Sequence, residues 1–543
     1  MRKLVPISPL YRFNRERSAI IDEVISRVTR GFVKRSLDAS GAKLSNILNE
    51  AAYVELSRHA ADGVPPNDEQ FVFWSEVVRA LTHSTEEENA ELIERAVKDY
   101  TLATAGNFHP AIQKVALSVV PRSLSLAFGG MRGGPKFSPK ALARGLKTEG
   151  EIDKIKALAQ HGTLVFVSTH SSRLDAGLLG YAMHLAGLPP MVHGADRMLY
   201  EQPFMSFFMS NLGAYKVDRR RKHALYTKVL KTYSQILIER GYHSFFFPTG
   251  GRSRSNRIDE RLKLGLMGTA LKAWTHQVVQ GNARPVFIVP VTLNYNLVLE
   301  AETLAADYMN TPEGDRYEII EEDEFTSMRR VAAYIGASLS RSPFLTVRFG
   351  APMDPFGNEV SARGESLDNH GRVLDPQRYL WSNGVPVEDR YRGWAYTRGL
   401  GKKVQESWKA NNVISPLHIV SMALFEYVCR QHPAWDVRGL LWFARGDSIS
   451  RGSAEGETER LLRLVRKDAA DGKFRLTACA QEKSAHEMVQ DALRLFGAYH
   501  TTPVIQEEGH EIRLLDLRLL YFYSNRLRGY DLERRLRLAP GGY

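Results

Sequence analysis

The chain contains 543 residues, of which 43% are hydrophobic and 25% are charged, and it carries a formal net charge of +12. This balance is typical of a folded soluble protein, and the length predicts two or three packed units rather than one core. The positive charge favours anionic partners, namely phosphorylated metabolites, nucleic acid or an anionic bilayer.

The two cysteines, Cys429 and Cys479, exclude a disulfide framework and a four-thiolate metal site, and they suit a reducing cytoplasm. Near the N-terminus, Pro6 and Pro9 interrupt the apolar stretch that a secretory signal needs. No uncharged apolar run approaches the roughly 18 residues of a membrane span. We therefore expect a cytoplasmic protein that lies on a membrane, if it contacts one, rather than crossing it.

Residues 1–135 are predicted to form a helical N-terminal region. Apolar residues recur at helical spacing in SAIIDEVISRVTRGF (18–32) and FVFWSEVVRAL (71–81). Thr85 and Glu88 have the spacing of a capping box at the start of a further helix. The Gly/Pro-rich segment GGMRGGPKFSPK (129–140) then predicts a domain boundary.

Residues 136–355 have the pattern of an α/β domain. Helical patterns alternate there with short β-branched or aromatic runs, which are TLVFV (163–167), HSFFF (243–247), VFIVPV (286–291) and FLTVRF (344–349). This alternation predicts a central mixed or mainly parallel sheet flanked by helices. Residues 356–543 are predicted to form a mostly helical C-terminal region packed on that domain, with helical patterns at 414–430, 457–467 and 485–497.

The segment STHSSRLD (168–175) directly follows the first predicted strand of this domain. If the chain turns into a helix beginning near Leu174, the carboxylate of Asp175 can meet the imidazole of His170. A carboxylate on one ring nitrogen fixes the tautomer and leaves the other nitrogen as a base near neutral pH. Such a pair suits deprotonation of a substrate hydroxyl. The alternative is structural, with His170 ending a strand and Asp175 in the first helical turn, where negative charge is favoured.

Two later blocks are rich in arginine. GAYKVDRRRKH (213–223) includes Arg219 and Arg220, and it is either a solvated basic face or a clamp that pairs bidentately with phosphate. In FFFPTGGRSRSNR (245–257) a strand is followed by two glycines, which allow close backbone approach. Two arginines and a serine come next and can donate hydrogen bonds to an anion. The block is neither a Walker loop nor a Gly-x-Ser-x-Gly nucleophile elbow. A fourth block, VFIVPVTLNY (286–295), places Pro290 inside an apolar strand and predicts a sheet edge, a bulge or a strand end.

Taken in order, these blocks resemble the four motifs of the glycerolipid acyltransferases, and most closely those of the glycerol-3-phosphate acyltransferases. The motifs are His-x-x-x-x-Asp, Gly-Ala-aromatic ending in arginines, Gly-Gly-Arg-Ser-Arg, and Ile/Val-Pro-Val/Ile. The matching residues are His170 and Asp175, Gly213 to Tyr215 with Arg219 and Arg220, Gly250 to Arg254, and Val289 to Val291. The resemblance covers about residues 140–355, and the flanking regions only vaguely.

The resemblance implies the α/β fold of that family and an O-acyltransferase that needs no metal or other cofactor. A fatty acyl group would move from acyl-CoA or acyl-carrier-protein to glycerol 3-phosphate and form lysophosphatidate. His170 would be the general base and Asp175 would orient it, and backbone amides after His170 are candidates for binding the oxyanion. The phosphate-binding residues and those that shape the site would be Arg219, Arg220, Arg252, Ser253, Arg254, Gly250, Gly251 and Pro290. Thr249 stands where the family usually carries a glutamate, so lysophosphatidate and dihydroxyacetone phosphate stay open as acceptors.

The segment RMLYEQPFMSFFMSN (197–211) is dense in Met and Phe. It is either core packing, or a lining for an acyl chain, or an apolar patch for a bilayer. Together with the net charge, the last interpretation predicts peripheral association with the cytoplasmic face of an anionic membrane. The alternative of another class is a non-catalytic binder of anionic lipid. Nucleic acid is not expected as a partner, because helix-turn-helix, RRM and zinc signatures are missing from the sequence.

Overall fold

A computed structural model of the chain describes residues 8–38, 41–118, 143–201, 203–310, 330, 334, 343–443, 447–497 and 499–538. The Gly/Pro-rich segment at 129–140, and with it the predicted boundary between residues 135 and 136, lies outside the described residues. Within these ranges, no helix is both long enough and apolar enough to cross a membrane.

The N-terminal region is helical, as predicted. Its main helices are α1 (Phe13–Ser36), α2 (Leu44–Ala61), α3 (Glu69–Ala80) and α4 (Glu86–Thr104). Helix α1 buries Ile20, Val24 and Val28, which are four residues apart and lie on one face. The predicted capping box begins α4, since Thr85 Oγ1 accepts from the backbone N–H of Glu88 and the Glu88 carboxylate accepts from the backbone N–H of Thr85.

A seven-stranded mixed sheet forms the centre of the part of the chain that the structure describes. Its strands are β1 (Leu146–Gly150), β2 (Thr163–Ser168), β3 (Val192–Asp196), β4 (Ala214–Val217), β5 (Ser244–Phe246), β6 (Val286–Tyr295) and β7 (Leu345–Phe349). The spatial order is β1-β7-β6-β2-β5-β3-β4. The strands from β6 to β4 in this order pair in parallel, whereas β7 runs antiparallel to β6 and parallel to β1. The predicted α/β class is therefore confirmed.

Helices flank this sheet. They are α5 (Ile152–His161), α6 (Asp175–Leu185), α7 (Pro203–Met209), α8 (Ala224–Glu239), α9 (Leu264–Val279) and α10 (Ala301–Asn310). Helices α8 and α9 pack against each other, and α8 also packs against α1 and α4. The N-terminal region is thereby attached to the sheet through α8, where Val229, Tyr233 and Ile236 share one apolar cluster with residues of α1.

The C-terminal region is mostly helical, as predicted. Its helices are α11 (Arg390–Ala410), α12 (Pro416–Gln431), α13 (Val437–Phe443), α14 (Arg451–Ala470), α15 (Ala478–Glu482), α16 (Ala485–Phe496), α17 (Leu517–Ser524) and α18 (Leu532–Leu538). Short strands lie before and between these helices, namely β8 (Glu359–Val360), β9 (Ser366–Leu367), β10 (Val373–Leu374), β11 (Trp381–Ser382), β12 (Val385–Pro386), β13 (Val413–Ile414), β14 (Ser448–Ser450), β15 (Arg475–Leu476), β16 (Ile505–Glu508) and β17 (Glu511–Leu514).

The hydrophobic core continues from the sheet into this C-terminal region. Leu400 and Val404 of α11 pack in the same cluster as Val165 of β2. The buried indole of Trp408 donates to the carbonyl of Val167 at 3.1 Å. The division predicted between residues 355 and 356 stays a prediction, because packing links the two sides closely.

Pro290 does not lie at a sheet edge, contrary to one expectation from the sequence. Strand β6 is interior, with β2 on one side and β7 on the other, and Pro290 pairs with Val167. The proline is tolerated because its polar backbone side faces the bend that follows β7, where the N–H of Gly350 donates to the Pro290 carbonyl at 2.8 Å. The missing N–H therefore falls where the neighbouring strand has just ended.

Candidate active site

The four sequence blocks meet at one edge of the sheet. Strands β2, β5, β3 and β4 are parallel, so their carboxyl ends lie at the same edge, which is where ligands bind in open α/β sheets. His170 follows β2, the glycine-arginine block follows β5, and Arg219 follows β4. The parallel order thus brings the loops after these strands to one edge, although His170 and Arg254 are 84 positions apart in the sequence.

His170 and Asp175 form the predicted pair. The distance from His170 Nδ1 to Asp175 Oδ2 is 2.8 Å, and the carboxylate is fully buried. The same oxygen accepts from the backbone N–H groups of Ser171 at 2.6 Å and Ser172 at 3.0 Å. An oxygen that only accepts requires the imidazole to carry its proton on Nδ1, which leaves Nε2 as the basic nitrogen.

Tyr295 is a further hydrogen-bond partner of the Asp175 carboxylate. Its hydroxyl donates to Oδ1 at 2.6 Å from the end of β6. Both carboxylate oxygens are therefore bonded, which compensates for the loss of hydration of a buried charge. The sequence analysis did not assign a role to Tyr295, although it ends the fourth block.

The surroundings of the imidazole keep it neutral. The ring of His170 stacks on Phe247 with centroids 4.0 Å apart and an interplanar angle of 13°. Burial lowers the pKa of His170, the bond to Asp175 opposes that effect, and the charges of Arg252 and Arg219 lower the pKa further. A histidine with a lowered pKa is unprotonated at neutral pH, which is the form that a general base requires.

The glycine-arginine block is hydrogen-bonded to the loop that carries His170. The N–H of Ser253 donates to the carbonyl of His170 at 2.8 Å, which fixes the two loops to each other. Gly250 has a φ of +73°, and a Cβ built there would lie 2.6 Å from the side chain of Lys263. The turn thus needs glycine at this position both for its left-handed conformation and for the passage of a lysine.

Two of the predicted phosphate ligands lie near the histidine. Arg219 has a side chain that is 42% exposed, pairs with Asp196 at 3.1 Å and donates to the carbonyl of Gly250. Arg252 is 10% exposed and lies 3.5 Å from the buried carboxylate of Glu300. These are the two arginines whose charges act on the pKa of His170.

The other predicted ligands bond elsewhere in this structure. Arg220 makes a two-pronged contact with Asp62 of the N-terminal region, at 2.6 and 3.0 Å. Arg254 pairs with Asp307 of α10 at 2.6 Å. The hydroxyl of Ser253 donates to the carbonyl of Arg257 at 2.9 Å. Their phosphate-binding role stays a prediction.

Glu300 is a buried acidic residue of the site that the sequence analysis missed. It follows β6, accepts from the backbone N–H of Arg173 at 2.9 Å and pairs with Arg252. It therefore connects the loop after His170 with the glycine-arginine block. No short motif marks it, and the residue lies at this edge because β6 runs parallel to β2 and ends there.

The N-terminal helices hold the second basic block. Glu55 of α2 is buried and lies 3.4 Å from both the Arg221 guanidinium and His223 Nε2. Glu55 also accepts from Arg58 at 2.7 Å and from the hydroxyl of Tyr100 at 2.9 Å. Although burial opposes ionisation, the bond to His223 and the charges of the two arginines lower the pKa of Glu55 to about 2. The helical region thus positions the loop that carries Arg219.

A polar cavity of about 350 Å³ opens beside this loop. Arg219 and Arg220 line it together with the carboxylates of Asp62, Asp196 and Asp218. Among the residues that the structure describes, no group of three or more His, Cys, Asp or Glu side chains is placed to hold a metal ion.

Comparisons with known proteins agree with the sequence motifs. Residues 151–294 match the family model described as Acyltransferase. The glycerol-3-phosphate acyltransferase of Aeromonas hydrophila is 36% identical over 179 residues, which are 33% of this chain and 21% of that protein. The one from Pseudomonas syringae is 26% identical over 275 residues, which are 50% of this chain and 29% of that protein. The matches therefore span less than a third of the length of these relatives.

A solved structure is also similar over much of the chain. It is the crystal structure of the 1-acyl-sn-glycerophosphate (LPA) acyltransferase from Thermotoga maritima, which aligns with 67% of this chain and 94% of its own at 14% identity and a TM-score of 0.25.

Proposed function

We propose that this chain, whose residues 151–294 form a domain of the acyltransferase family, transfers a fatty acyl group from acyl-CoA or acyl-carrier-protein to glycerol 3-phosphate and forms lysophosphatidate. The observation that carries the proposal is the hydrogen-bonded pair of His170 and Asp175 at the sheet edge. Arg252 and Arg219 lie close enough to lower the pKa of His170. The names of the relatives support the choice of acceptor.

In the proposed reaction, Nε2 of His170 removes the proton of the acceptor hydroxyl. The hydroxyl oxygen bonds to the thioester carbonyl carbon and forms a tetrahedral intermediate. The carbon–sulfur bond then breaks, and the thiolate takes the proton back from His170. Asp175 holds the ring and stabilises the transient imidazolium. General base catalysis of this kind contributes roughly 100- to 10,000-fold. The scheme uses no metal, no other cofactor and no covalent enzyme intermediate.

The backbone amides after His170 do not serve as the expected oxyanion donors in this structure. The N–H groups of Ser171 and Ser172 bond to Asp175, and that of Arg173 bonds to Glu300. We therefore assign stabilisation of the oxyanion to the positive charge of the arginine side chains in the site.

The acceptor phosphate is assigned first to Arg219 and Arg252. Arg252 pairs with Glu300, so a phosphate that binds Arg252 would compete with this carboxylate for the guanidinium. Arg220 and Arg254 would need to leave Asp62 and Asp307 to contribute, so we expect them to have smaller effects.

An assay with labelled acyl donors tests the acceptor. Purified protein is given acyl-CoA or acyl-carrier-protein with glycerol 3-phosphate, lysophosphatidate or dihydroxyacetone phosphate. We expect product with glycerol 3-phosphate at a kcat/KM at least about tenfold above the others, which corresponds to one additional hydrogen-bonded contact. Because Thr249 departs from the usual glutamate, preference for either of the other acceptors would replace the proposed substrate while retaining the chemistry.

We also propose peripheral association with the cytoplasmic face of an anionic membrane. The net charge of +12 supports it, and the product is amphiphilic. A non-catalytic lipid binder would share this property, but it has no need for His170 and Asp175 at hydrogen-bond distance. Vesicle binding without acyl transfer by the wild-type protein would favour the binder.

A further inference from the structure

The protein exposes an aromatic patch away from the active site. The hairpin β11–β12 and the first turns of α11 leave four large apolar side chains largely in solvent. Their exposed fractions are 51% for Trp381, 56% for Val385, 86% for Tyr391 and 61% for Trp394. Singly exposed apolar residues are ordinary, but a group within residues 381–394 marks an interaction surface.

The backbone under this patch is held in place. Trp381 pairs with Pro386 across the hairpin, and Arg392 Nη1 donates to the Trp381 carbonyl at 3.3 Å. Asp389 caps α11 by accepting from the N–H of Arg392 at 2.8 Å. The hairpin is therefore attached to the helix that follows it, and the patch is a fixed feature of the fold.

One face of α11 carries the helical part of the patch. Tyr391, Trp394 and Arg398 follow each other at intervals of three and four residues and lie on that face. The guanidinium of Arg398 stacks over the Trp394 ring at 5.5 Å. The opposite face is buried and includes Leu400 and Val404. A cation thus adjoins the exposed aromatic side chains.

A cluster of lysines lies beside the patch. Lys228 and Lys231 occupy α8, and Lys272 occupies α9, with a side chain that is exposed. Burial lowers the pKa of Lys228 to about 8, and the positive charges of Lys272, Arg35 and Lys231 contribute to the shift. The Lys231 ammonium extends over the start of α9, 3.6 Å from where a Cβ of Gly265 would lie. Mutual repulsion of this kind is relieved by a bound anion.

Two observations make the lysine cluster and the aromatic patch continuous. The carboxylate of Glu388, in the segment before α11, acts on the pKa of Lys228. Helices α9 and α11 run antiparallel, since Gly401 faces Leu264 and Gly268 faces Thr397. One turn further, the same packing brings Lys272 opposite the turn of α11 that includes Trp394. We name these residues, 381–394 with Lys228, Lys231 and Lys272, the aromatic–basic surface.

We propose that the aromatic–basic surface docks the protein on an anionic lipid bilayer. Trp and Tyr favour the membrane–water interface, and lysines near a bilayer are attracted to anionic headgroups. Glu388 and Asp389 are the carboxylates of the same segment, and the lysines with Arg390 and Arg398 outnumber them. In the described part of the Met/Phe segment at 197–211, Phe207 is 51% exposed and Met209 is buried.

This inference rests on the membrane association of the proposed function, but its test does not depend on acyl transfer. The aromatic part of the surface is distant from the dyad, since Trp394 and Trp408 are separated by about 21 Å along α11 and Trp408 bonds next to the end of β2. The Trp381→Ser/Trp394→Ser variant should therefore keep turnover with soluble acyl-CoA and glycerol 3-phosphate unchanged.

The test is flotation of the purified full chain with phosphatidylcholine vesicles, with and without phosphatidylglycerol. One variant combines Trp381→Ser with Trp394→Ser, and another combines Lys228→Gln, Lys231→Gln and Lys272→Gln. We expect binding only with phosphatidylglycerol, and a loss of affinity of about 100-fold for the lysine variant, since each basic residue contributes roughly fivefold. The aromatic variant should also bind at least about tenfold more weakly.

Trp442→Ser is the matched control, because Trp442 is 55% exposed on α13 of the C-terminal region. It should bind vesicles like the wild type. Unchanged binding by both surface variants, equal loss in the Trp442→Ser control, or binding to an acidic carrier protein but to no vesicle would overturn the proposal. If the wild type binds through this surface yet transfers no acyl group, the surface stands and the proposed enzymatic function fails.

Discussion

Replacing Asp175 by Asn tests the dyad without removing the histidine. The asparagine carbonyl can occupy the position of Oδ2 and accept from His170 and the two serine amides, while its NH₂ meets the Tyr295 hydroxyl, which can turn to accept. The geometry is thus retained and the negative charge is lost. What changes is the stabilisation of the imidazolium that forms during proton transfer.

The magnitude follows from the contact distance. With the ring nitrogen 2.8 Å from the carboxylate oxygen, the charge centres are roughly 4 Å apart, and their attraction at an effective dielectric of about 20 is about 4 kcal/mol. Part of this is retained as a neutral hydrogen bond of about 1 kcal/mol. We therefore expect kcat for acyl transfer to fall roughly 100- to 1,000-fold, with the KM for glycerol 3-phosphate changed little.

Steady-state acyl transfer and thermal unfolding of the same preparation measure this effect. Tyr295→Phe is the matched control, because it removes one hydrogen bond from the same carboxylate but leaves the charge, and it should lower kcat less than about tenfold. An Asp175→Asn enzyme with kcat within fivefold (~1 kcal/mol) of the wild type would refute the role assigned to the charge.

Three further predictions follow from the geometry and the charges. The kcat/KM should be constant above the pKa of His170, which lies below its usual value, and should fall as the pH drops below that pKa. Arg252→Gln should shift this fall in kcat/KM to higher pH, because the substitution removes a positive charge that lowers the pKa of His170. Gly250→Ala should lower the free energy of unfolding in urea by more than Gly281→Ala does. Gly281 has the same left-handed φ but open space around it, so Gly281→Ala should lower the free energy of unfolding by only about 1–2 kcal/mol. Glu55→Gln should lower the free energy of unfolding by about 3 kcal/mol above pH 4.5, because the pKa of Glu55 is held near 2 in the folded protein. The difference in the free energy of unfolding between this variant and the wild type should shrink as the pH falls from 4.5 toward 2.

Much of the fold was predictable because hydrophobic patterns dominate it. The apolar runs at β2, β5, β6 and β7 were visible, since each is buried on both faces. Strands β1, β3 and β4 were not, because LKTEG, VHGAD and AYKV are short and partly polar. Their strand conformation depends on pairing with neighbouring strands, β1 with β7, β3 with β5 and β4, and β4 with β3. Such pairing is a long-range effect that local sequence does not record.

The candidate site divides in the same way. His170 and Asp175 could be paired from their spacing, because the helix that begins at Asp175 makes the contact local. The partners of the arginines could not be predicted, since Glu300, Asp307 and Asp62 come from distant parts of the chain. The sequence left a sheet edge, a bulge or a strand end open for Pro290, and could not decide among them because its tolerance depends on where β7 ends.

The most direct test of the account compares wild type and His170→Ala in labelled acyl transfer to glycerol 3-phosphate. Both proteins should have the same far-UV circular dichroism and the same binding to phosphatidylglycerol vesicles. The account predicts that the wild type forms lysophosphatidate and that the variant is at least about 100-fold slower. A folded His170→Ala protein that transfers acyl groups at the wild-type rate would contradict it.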